Sequence, residues 1–398
     1  MDKIKKALGE AYKRFVPSDK DRAKLNRIAD KFISVLNDNA RKNQSTVEFK
    51  FSGSYAKGTW IKNESDIDIL AVFESENDIK TLSYLVPKNF TAVFGTRKYF
   101  RGRVSGITVE VVPVLRFSDI KKVNNSVDLS VLHANYINSV LSDPQKNDVI
   151  LLKALCKANN CYGSETYMHG FSGYSLEVLI SEFRDLLSLI EAVKSWKEPV
   201  NLGKSKDTKN YPIFLPDPTN YSRNICASVG GENLSRFIFA LKSFLIFPSI
   251  NSFIKKSIKD RISAEVKARG TKLFSFTTKI IEPKDIFLSK YVKNAGKLID
   301  ELNRNDIEIY SVDFDYGEKS ASIFLQIKNT PKTRTKLVYG PLVSSDIEII
   351  RSFIHAHKNV FLSGVHLSYD KNYNVKNFNK FILVKIKEYM SPKSVLMN

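Results

Sequence analysis

The segment Ser52-Gly53-Ser54-Tyr55-Ala56, followed twelve residues after Ser54 by Asp66-Ile67-Asp68-Ile69, constrains this chain more than any other. Upstream, Val47-Glu48-Phe49-Lys50-Phe51 alternates as a half-buried strand does, and Gly53-Ser54 ends it at a turn able to open a helix. A helix start offers free backbone N–H groups and a partial positive charge to an anion. In Asp66-Ile67-Asp68-Ile69 the period of two sends both isoleucines into a core and both aspartates to the opposite face. Two carboxylates pointing the same way repel unless a cation lies between them. Ligands made only of oxygen suit Mg²⁺, which is held by a few carboxylates together with substrate phosphates. A third acid is needed on a neighbouring strand, and Ile107-Thr108-Val109-Glu110-Val111-Val112-Pro113 supplies Glu110, the one charge in an apolar run. Such an acid is costly unless something pairs with it. Each feature alone is more often a loop or a solvated strand edge. Taken in order, they outline a nucleotidyl-transfer site, in which metals, triphosphate and attacking hydroxyl are aligned and charge placement does most of the chemistry.

The stretch resembles the catalytic head of the DNA polymerase β nucleotidyltransferase superfamily and, within it, the archaeal-type (class I) CCA-adding enzymes, which build the 3′ end of tRNA. Two further blocks carry the resemblance: Lys153 to Gly163 with His169-Gly170-Phe171-Ser172-Gly173-Tyr174, and Asp217-Pro218 with Ser222-Arg223-Asn224. It covers roughly residues 1–280 and weakens beyond them. It implies template-independent addition of C, C and A from CTP and ATP, with Mg²⁺ held by Asp66, Asp68 and Glu110. Glu110 stands where the family commonly has Asp. Ser54 would meet the β- or γ-phosphate. Lys57, His133 (with Ser130 in Asp128-Leu129-Ser130-Val131-Leu132-His133), Lys153 and Tyr162 would surround the triphosphate. Arg223 would read the Watson–Crick edge of the incoming base, a task suited to a planar fork of five donors. Without the resemblance, Lys153 reads as a snorkelling lysine, Tyr162 as a core ring and His133 as a satisfied helix histidine. The rival enzymes are a poly(A) polymerase or an oligoadenylate-synthase-like transferase, which would share the acids and differ in acceptor. A catalytically silent tRNA-binding protein is the alternative from outside enzymology, and the intact acids argue against it.

Charge supports a nucleic-acid partner. Lys+Arg 62 against Asp+Glu 42 leaves +20 over 398 residues and a pI near 9.6, which calls for a polyanion. Lys328, Lys332, Arg334 and Lys336 cluster around Pro331 with no acid among residues 328–336, as at a basic hairpin tip, either a solvated turn or a clamp on tRNA phosphates. No apolar run of eighteen residues appears, and Met1-Asp2-Lys3-Ile4-Lys5-Lys6 leads into no signal-peptide core, so a cytoplasmic protein with no membrane partner is expected. A homodimer is compatible with the sequence. Cys156, Cys161 and Cys226 make an odd, sparse set without Cys-x-x-Cys pairs, giving neither a disulfide framework nor a zinc site. They are expected in the core or lining a pocket.

The expected fold class is α+β in three domains: a nucleotidyltransferase head over residues 1–140, a mostly helical nucleotide-binding neck over 141–265, and an α+β body and tail that holds tRNA over 266–398. Pro17-Ser18-Asp19 starts a helix over 19–38. Strands are expected near 47–52, 66–73, 91–94, 97–103 and 107–114. A helix begins near Asp148, one long helix runs from Ser172 to Trp196, and residues 199–215 read as a loop. Beyond Gly270 the pattern is strand, helix, strand and strand, at 273–281, 285–302, 307–314 and 322–328.

Overall fold

The computed structural model describes residues 2–94, 97–117, 126–203, 211–281, 283–305, 307–328, 333–374, 378–392 and 395. The chain divides into two compact units, residues 1–255 and 256–398. Among the described residues no helix is long and apolar enough to cross a membrane.

The first unit opens with α1 (Asp2–Phe15) and α2 (Asp19–Lys42). Ser18 starts α2 through a capping box: its hydroxyl accepts from the Asp21 N–H while the Asp21 carboxylate accepts from the Ser18 N–H. Then come β1 (Glu48–Ser52), α3 (Gly53–Lys57), β2 (Asp66–Phe73), α4 (Leu82–Leu85), β3 (Thr91–Phe94), β4 (Lys98–Val104) and β5 (Ile107–Leu115). All five strands lie within a residue of the expected bounds. They form one sheet in the order β1-β2-β5-β4-β3, with only β2 and β5 parallel. Leu25, Ala29, Phe32 and Leu36 of α2 are buried with Ile67, Ile69, Val109 and Val111, so the helix covers the apolar face of the sheet. The acids are left on the other side.

The rest of this unit comprises α5 (Ser130–Val140), α6 (Asp143–Ala158), α7 (Gly173–Phe183), α8 (Leu186–Val193), the short strands β6 (Val200–Asn201), β7 (Ile213–Phe214), β8 (Pro216–Asp217) and β9 (Asn220–Asn224), and α9 (Gly231–Ile246). Ala7 and Ala11 of α1 join its core beside Val149, Leu152, Leu176 and Phe237. All three cysteines are buried and unpaired, as expected. Two local expectations are corrected. The single helix over 172–196 is two, because Arg184 adopts φ +71 and Asp185 accepts the Ser188 N–H at 2.7 Å, starting α8 afresh. The segment 199–215 is more than a loop: β6 pairs in parallel with β7, whose Ile213 is fully buried, while 204–210 lie outside the described residues.

The second unit runs through α10 (Ile258–Arg269), β10 (Lys272–Lys279), α11 (Lys284–Arg304), β11 (Ile309–Tyr316), β12 (Ser320–Ile327), β13 (Thr333–Leu342), α12 (Ile347–Ala356), β14 (Phe361–Ser363), β15 (His366–Asn374) and α13 (Phe378–Met390). It contains two antiparallel sheets, β10-β12-β11 and β13-β15-β14. The first is packed by α11, whose Phe287, Leu288, Tyr291, Leu298 and Leu302 are buried. The expected hairpin around Pro331 is therefore corrected. β12 ends at Ile327 and β13 begins at Thr333, and they belong to different sheets, so the two strands do not pair as a hairpin; residues 329–332 lie outside the described residues.

Candidate active site

The alternation of β2 is realised: Ile67 and Ile69 are wholly buried, and Asp66 and Asp68 are half-buried on the opposite face. Parallel pairing of β2 with β5 sets Asp68 opposite Glu110. On the other side of β2, Ser52 at the end of β1 stands opposite Asp68. The turn that follows Ser52 is thereby delivered to the same acid. Gly53 has φ +61, and a Cβ on it would lie 1.6 Å from Asp68 Oδ2. Only glycine fits there, both for its backbone and for the carboxylate against it. Ser54, the second residue of α3, is half-buried, and its carbonyl accepts the Thr59 N–H at 3.0 Å.

Burial, followed by repulsion from Asp66 and Glu110, pushes the Asp68 carboxyl up to about 7. Glu110 is the lone acid whose partner the sequence left open. Arg101, directly across on β4, donates from Nε to its Oε1 at 2.6 Å and from Nη2 to the Tyr99 hydroxyl at 3.0 Å. Among the described residues no three His, Cys, Asp or Glu side chains are gathered closely enough to grip a metal unaided. The donor set nevertheless fits a divalent cation: repelling carboxylates share one face, and the missing side chain of Gly53 lets the Asp68 carboxylate lie against the turn. Mg²⁺ completes its shell with water and substrate phosphate rather than with a protein cage.

Beside this face lies a buried ionic node that sequence reasoning missed. Glu177 of α7 is wholly buried and binds donors from three places. Lys57 Nζ, at the end of α3, donates to Oε2 at 2.5 Å; Thr59 Oγ1 and Lys153 Nζ donate to Oε1 at 2.6 and 2.8 Å. Lys153 also donates to Thr59 Oγ1 at 2.9 Å and to the Thr59 carbonyl at 3.2 Å, so all three of its ammonium hydrogens have acceptors. Burial alone would raise the Glu177 carboxyl, but Lys153 and Lys57 outweigh it and hold it down to about 2. Burial lowers the Lys153 ammonium against the pull of Glu177. Tyr162 is brought to the same place: a Cβ on Gly173 would lie 3.2 Å from its hydroxyl and 3.4 Å from Lys153 Nζ. The Lys157 ammonium caps its ring at 5.1 Å. Burial first, and then Glu177, raises the Tyr162 phenol.

A second buried acid, Asp217, organises His133 and Arg223. Its Oδ2 faces His133 Nε2 at 3.1 Å and accepts from Arg223 Nη1 at 3.3 Å; its Oδ1 accepts from the Tyr174 hydroxyl at 3.0 Å and from Thr219 Oγ1 at 2.7 Å. Burial would raise this carboxyl, and the bonds from His133 and Thr219 bring it down to about 2. The hairpin β8–β9 carries both Asp217 and Arg223. His133 stacks on Tyr174 at 3.9 Å, and the Lys57 ammonium lies 5.7 Å from the same Tyr174 ring. Tyr174 therefore joins the two nodes. A cavity of about 600 Å³ opens in front of Arg223, lined by Ser164, Ser172, Tyr211, Ser222 and Ser228 among others.

Asp66, Asp68, Glu110 and the Gly53-Ser54 turn are brought together, as are Lys57, Lys153 and Tyr162, and His133 with Arg223. Of the basic cluster, Lys328 is exposed and paired with Glu308 at 2.9 Å. Arg334 and Lys336 fall on β13, with side chains that are not described, and Lys332 lies outside the described residues. Glu177 could have been found by the signal that marked Glu110, a lone acid beside Leu176, Leu179 and Ile180. Tyr174 ends the second block of the resemblance with no role attached to it, and nothing local marks Thr59.

A nucleotidyltransferase domain model matches residues 33–129, and a model for the second domain of tRNA nucleotidyltransferases matches residues 147–254. The CCA-adding enzyme of Saccharolobus islandicus is 25% identical over 397 residues, covering 95% of this chain and 92% of that protein. Those of Sulfolobus acidocaldarius and Pyrococcus abyssi are each 27% identical, covering 92% and 93% of this chain and 88% and 87% of their own lengths. A solved structure of the Cid1 poly(U) polymerase with MgGTP is similar over 63% of this chain and 98% of its own, at 16% identity and a TM-score of 0.49. Head and second domain match in order, the relatives match nearly end to end, and the chain belongs to the archaeal-type CCA-adding enzymes, tRNA nucleotidyltransferases of the DNA polymerase β superfamily.

Proposed function

We propose that the chain completes tRNA by adding C, C and A to its 3′ end from CTP and ATP without a template, with Asp66, Asp68 and Glu110 as the acids of the reaction. The observation that carries the reading is the register of three strands, which sets Asp68 beside Gly53 and opposite Glu110. Nucleotidyltransferases of this fold generally use divalent metals, and we take the metal to be Mg²⁺. When bound, it supplies the positive charge that steadies the triphosphate and acidifies the primer hydroxyl. Asp66 and Asp68 would hold it, and Glu110, steered by Arg101, would face the primer hydroxyl and help take its proton. That oxygen then bonds the α-phosphorus as the bond to pyrophosphate breaks.

The remaining side chains bind and orient. Ser54 and Lys57 receive the β- and γ-phosphates, with Lys153 adding charge from the buried node, Tyr162 closing the site beside it and His133 standing by the phosphates. Arg223 faces the base, its guanidinium aimed by Asp217. Lys328, Lys332, Arg334 and Lys336 contact tRNA phosphates. The test is to offer tRNA lacking its 3′ end, tRNA ending in C and tRNA ending in CC, each with single nucleotides and with CTP plus ATP. Two CMP additions followed by one AMP addition are expected. A run of A on any RNA would indicate a poly(A) polymerase, primer-free synthesis an oligoadenylate-type enzyme, and no addition a silent binder; each sinks the proposal.

A further inference from the structure

We propose that Glu177 is a positioning residue for the triphosphate, fixing Lys57 and, through it, the phosphate-binding turn; this rests on the assignment of that turn above. A buried acid beside a site for anions runs against electrostatics unless it contributes geometry. Removing a charge from water is costly, and the cost is recovered only where every lone pair is met by a well-placed donor. Glu177 meets that condition with Lys57, Thr59 and Lys153 at 2.5, 2.6 and 2.8 Å.

The placement of those partners shows what is being held. α3 has five residues, too few to be stable as an isolated helix. Its first residues form the turn against Asp68, and its last is Lys57. Glu177 grips Lys57 and, two residues on, Thr59, so the C-terminal end of α3 is tied to α7 while its N-terminal end lies against the acids. Lys153 has no ammonium hydrogen left, whereas the bond to Glu177 uses one of the three on Lys57. Lys57 is thus the lysine that meets phosphate directly, and Lys153 is the brace behind Glu177. Tyr174, against which the Lys57 ammonium rests, stacks on His133 and extends the same support toward Asp217 and Arg223.

The test exploits a difference of sign. Glu177→Gln removes a negative charge near a polyanion, so a residue acting only through its charge would, once removed, leave triphosphate bound more tightly. A positioning residue would leave it bound more weakly, because the amide nitrogen of Gln cannot accept the bond one donor group needs. A merely structural residue would lower Tm and leave the affinity of the folded fraction unchanged. With full-length protein we expect Glu177→Gln to raise KM for CTP and ATP about tenfold together. The affinity for inorganic tripolyphosphate, by calorimetry, should fall by a similar factor, with CMP and tRNA affinities unchanged. Unchanged or tighter tripolyphosphate binding overturns the proposal. If the Gln variant does not fold, Thr59→Val carries the test, since it deletes one donor to Glu177, together with an acceptor for Lys153, and leaves every charge: weaker tripolyphosphate binding supports the proposal, and wild-type binding overturns it. A wild-type protein that fails to add C, C and A while its variants lose tripolyphosphate affinity would sink the function reading alone.

Discussion

Replacing Asp68 by Asn isolates the crowding of carboxylates on which the metal assignment rests. The Asp68 carboxyl lies against Gly53, shares a strand face with Asp66 and stands opposite Glu110. Burial and those two neighbours raise its pKa from 3.8 to about 7. A folded pKa above the unfolded one means that the native state holds this proton more tightly. The ionised carboxyl therefore imposes no penalty below pH 3.8, a growing one as pH rises from 3.8 to about 7, and its full penalty above that. The rise from 3.8 to about 7, at roughly 1.4 kcal/mol per tenfold change in proton affinity, sets a ceiling of about 4 kcal/mol. Solvent reaches a half-buried residue and screens part of it, so about 2 kcal/mol is the working figure.

Asn has nearly the same shape and no charge. In EDTA at pH 8, Asp68→Asn should melt above wild type by about 4–8 °C, taking 2–4 °C per kcal/mol for a unit of this size. The gap should narrow steadily as pH is lowered toward 5. Mg²⁺ should raise the wild-type Tm at pH 8 and do little for the variant, since a ligand that binds the native state stabilises it in proportion to occupancy. Nucleotide addition should fall by several orders of magnitude, with tRNA affinity nearly unchanged. Melting curves with and without Mg²⁺ from pH 5 to 8, together with an addition assay, decide the matter. A variant that melts below wild type at pH 8 in EDTA, or an equal Mg²⁺ response in both proteins, would refute the reasoning.

Two further variant sets probe the rest of the site. Arg223→Ala should loosen discrimination among the four nucleotides, whereas Lys57→Met should raise KM for CTP and ATP together; kinetics with all four nucleotides would show identical defects if Arg223 bound phosphate instead. Neutralising Lys328, Lys332, Arg334 and Lys336 together should make the fall of log tRNA affinity with log salt shallower, by about one unit of slope for each charge that contacts a phosphate. Filter binding across a salt series would show no change of slope if those residues make no phosphate contact.

The division between what the chain announces and what folding adds follows the range of the physics. The alternation of β2, the start of α2 at Ser18 and the glycine turn before α3 are consequences of backbone geometry over a few residues, and they are legible in the sequence. The break at Arg184 is equally local but has no strong marker, since neither Gly nor Pro stands there. The family resemblance brought His133, Lys153, Tyr162 and Arg223 to attention without showing their partners.

Those partners are separated along the chain, and tertiary structure chose them. Glu110 faces Asp68 only because β5 enters the sheet parallel to β2, a pairing across 42 residues that no periodicity specifies. Lys57 meets Glu177 across 120 residues, and His133 meets Asp217 across 84. The sheet membership of β12 and β13, on which the hairpin expectation failed, is likewise a matter of pairing between distant segments. Local sequence sets which face a side chain occupies. Which opposite charge that face meets is set by packing, because a buried charge is tolerated only where the whole fold brings it a partner.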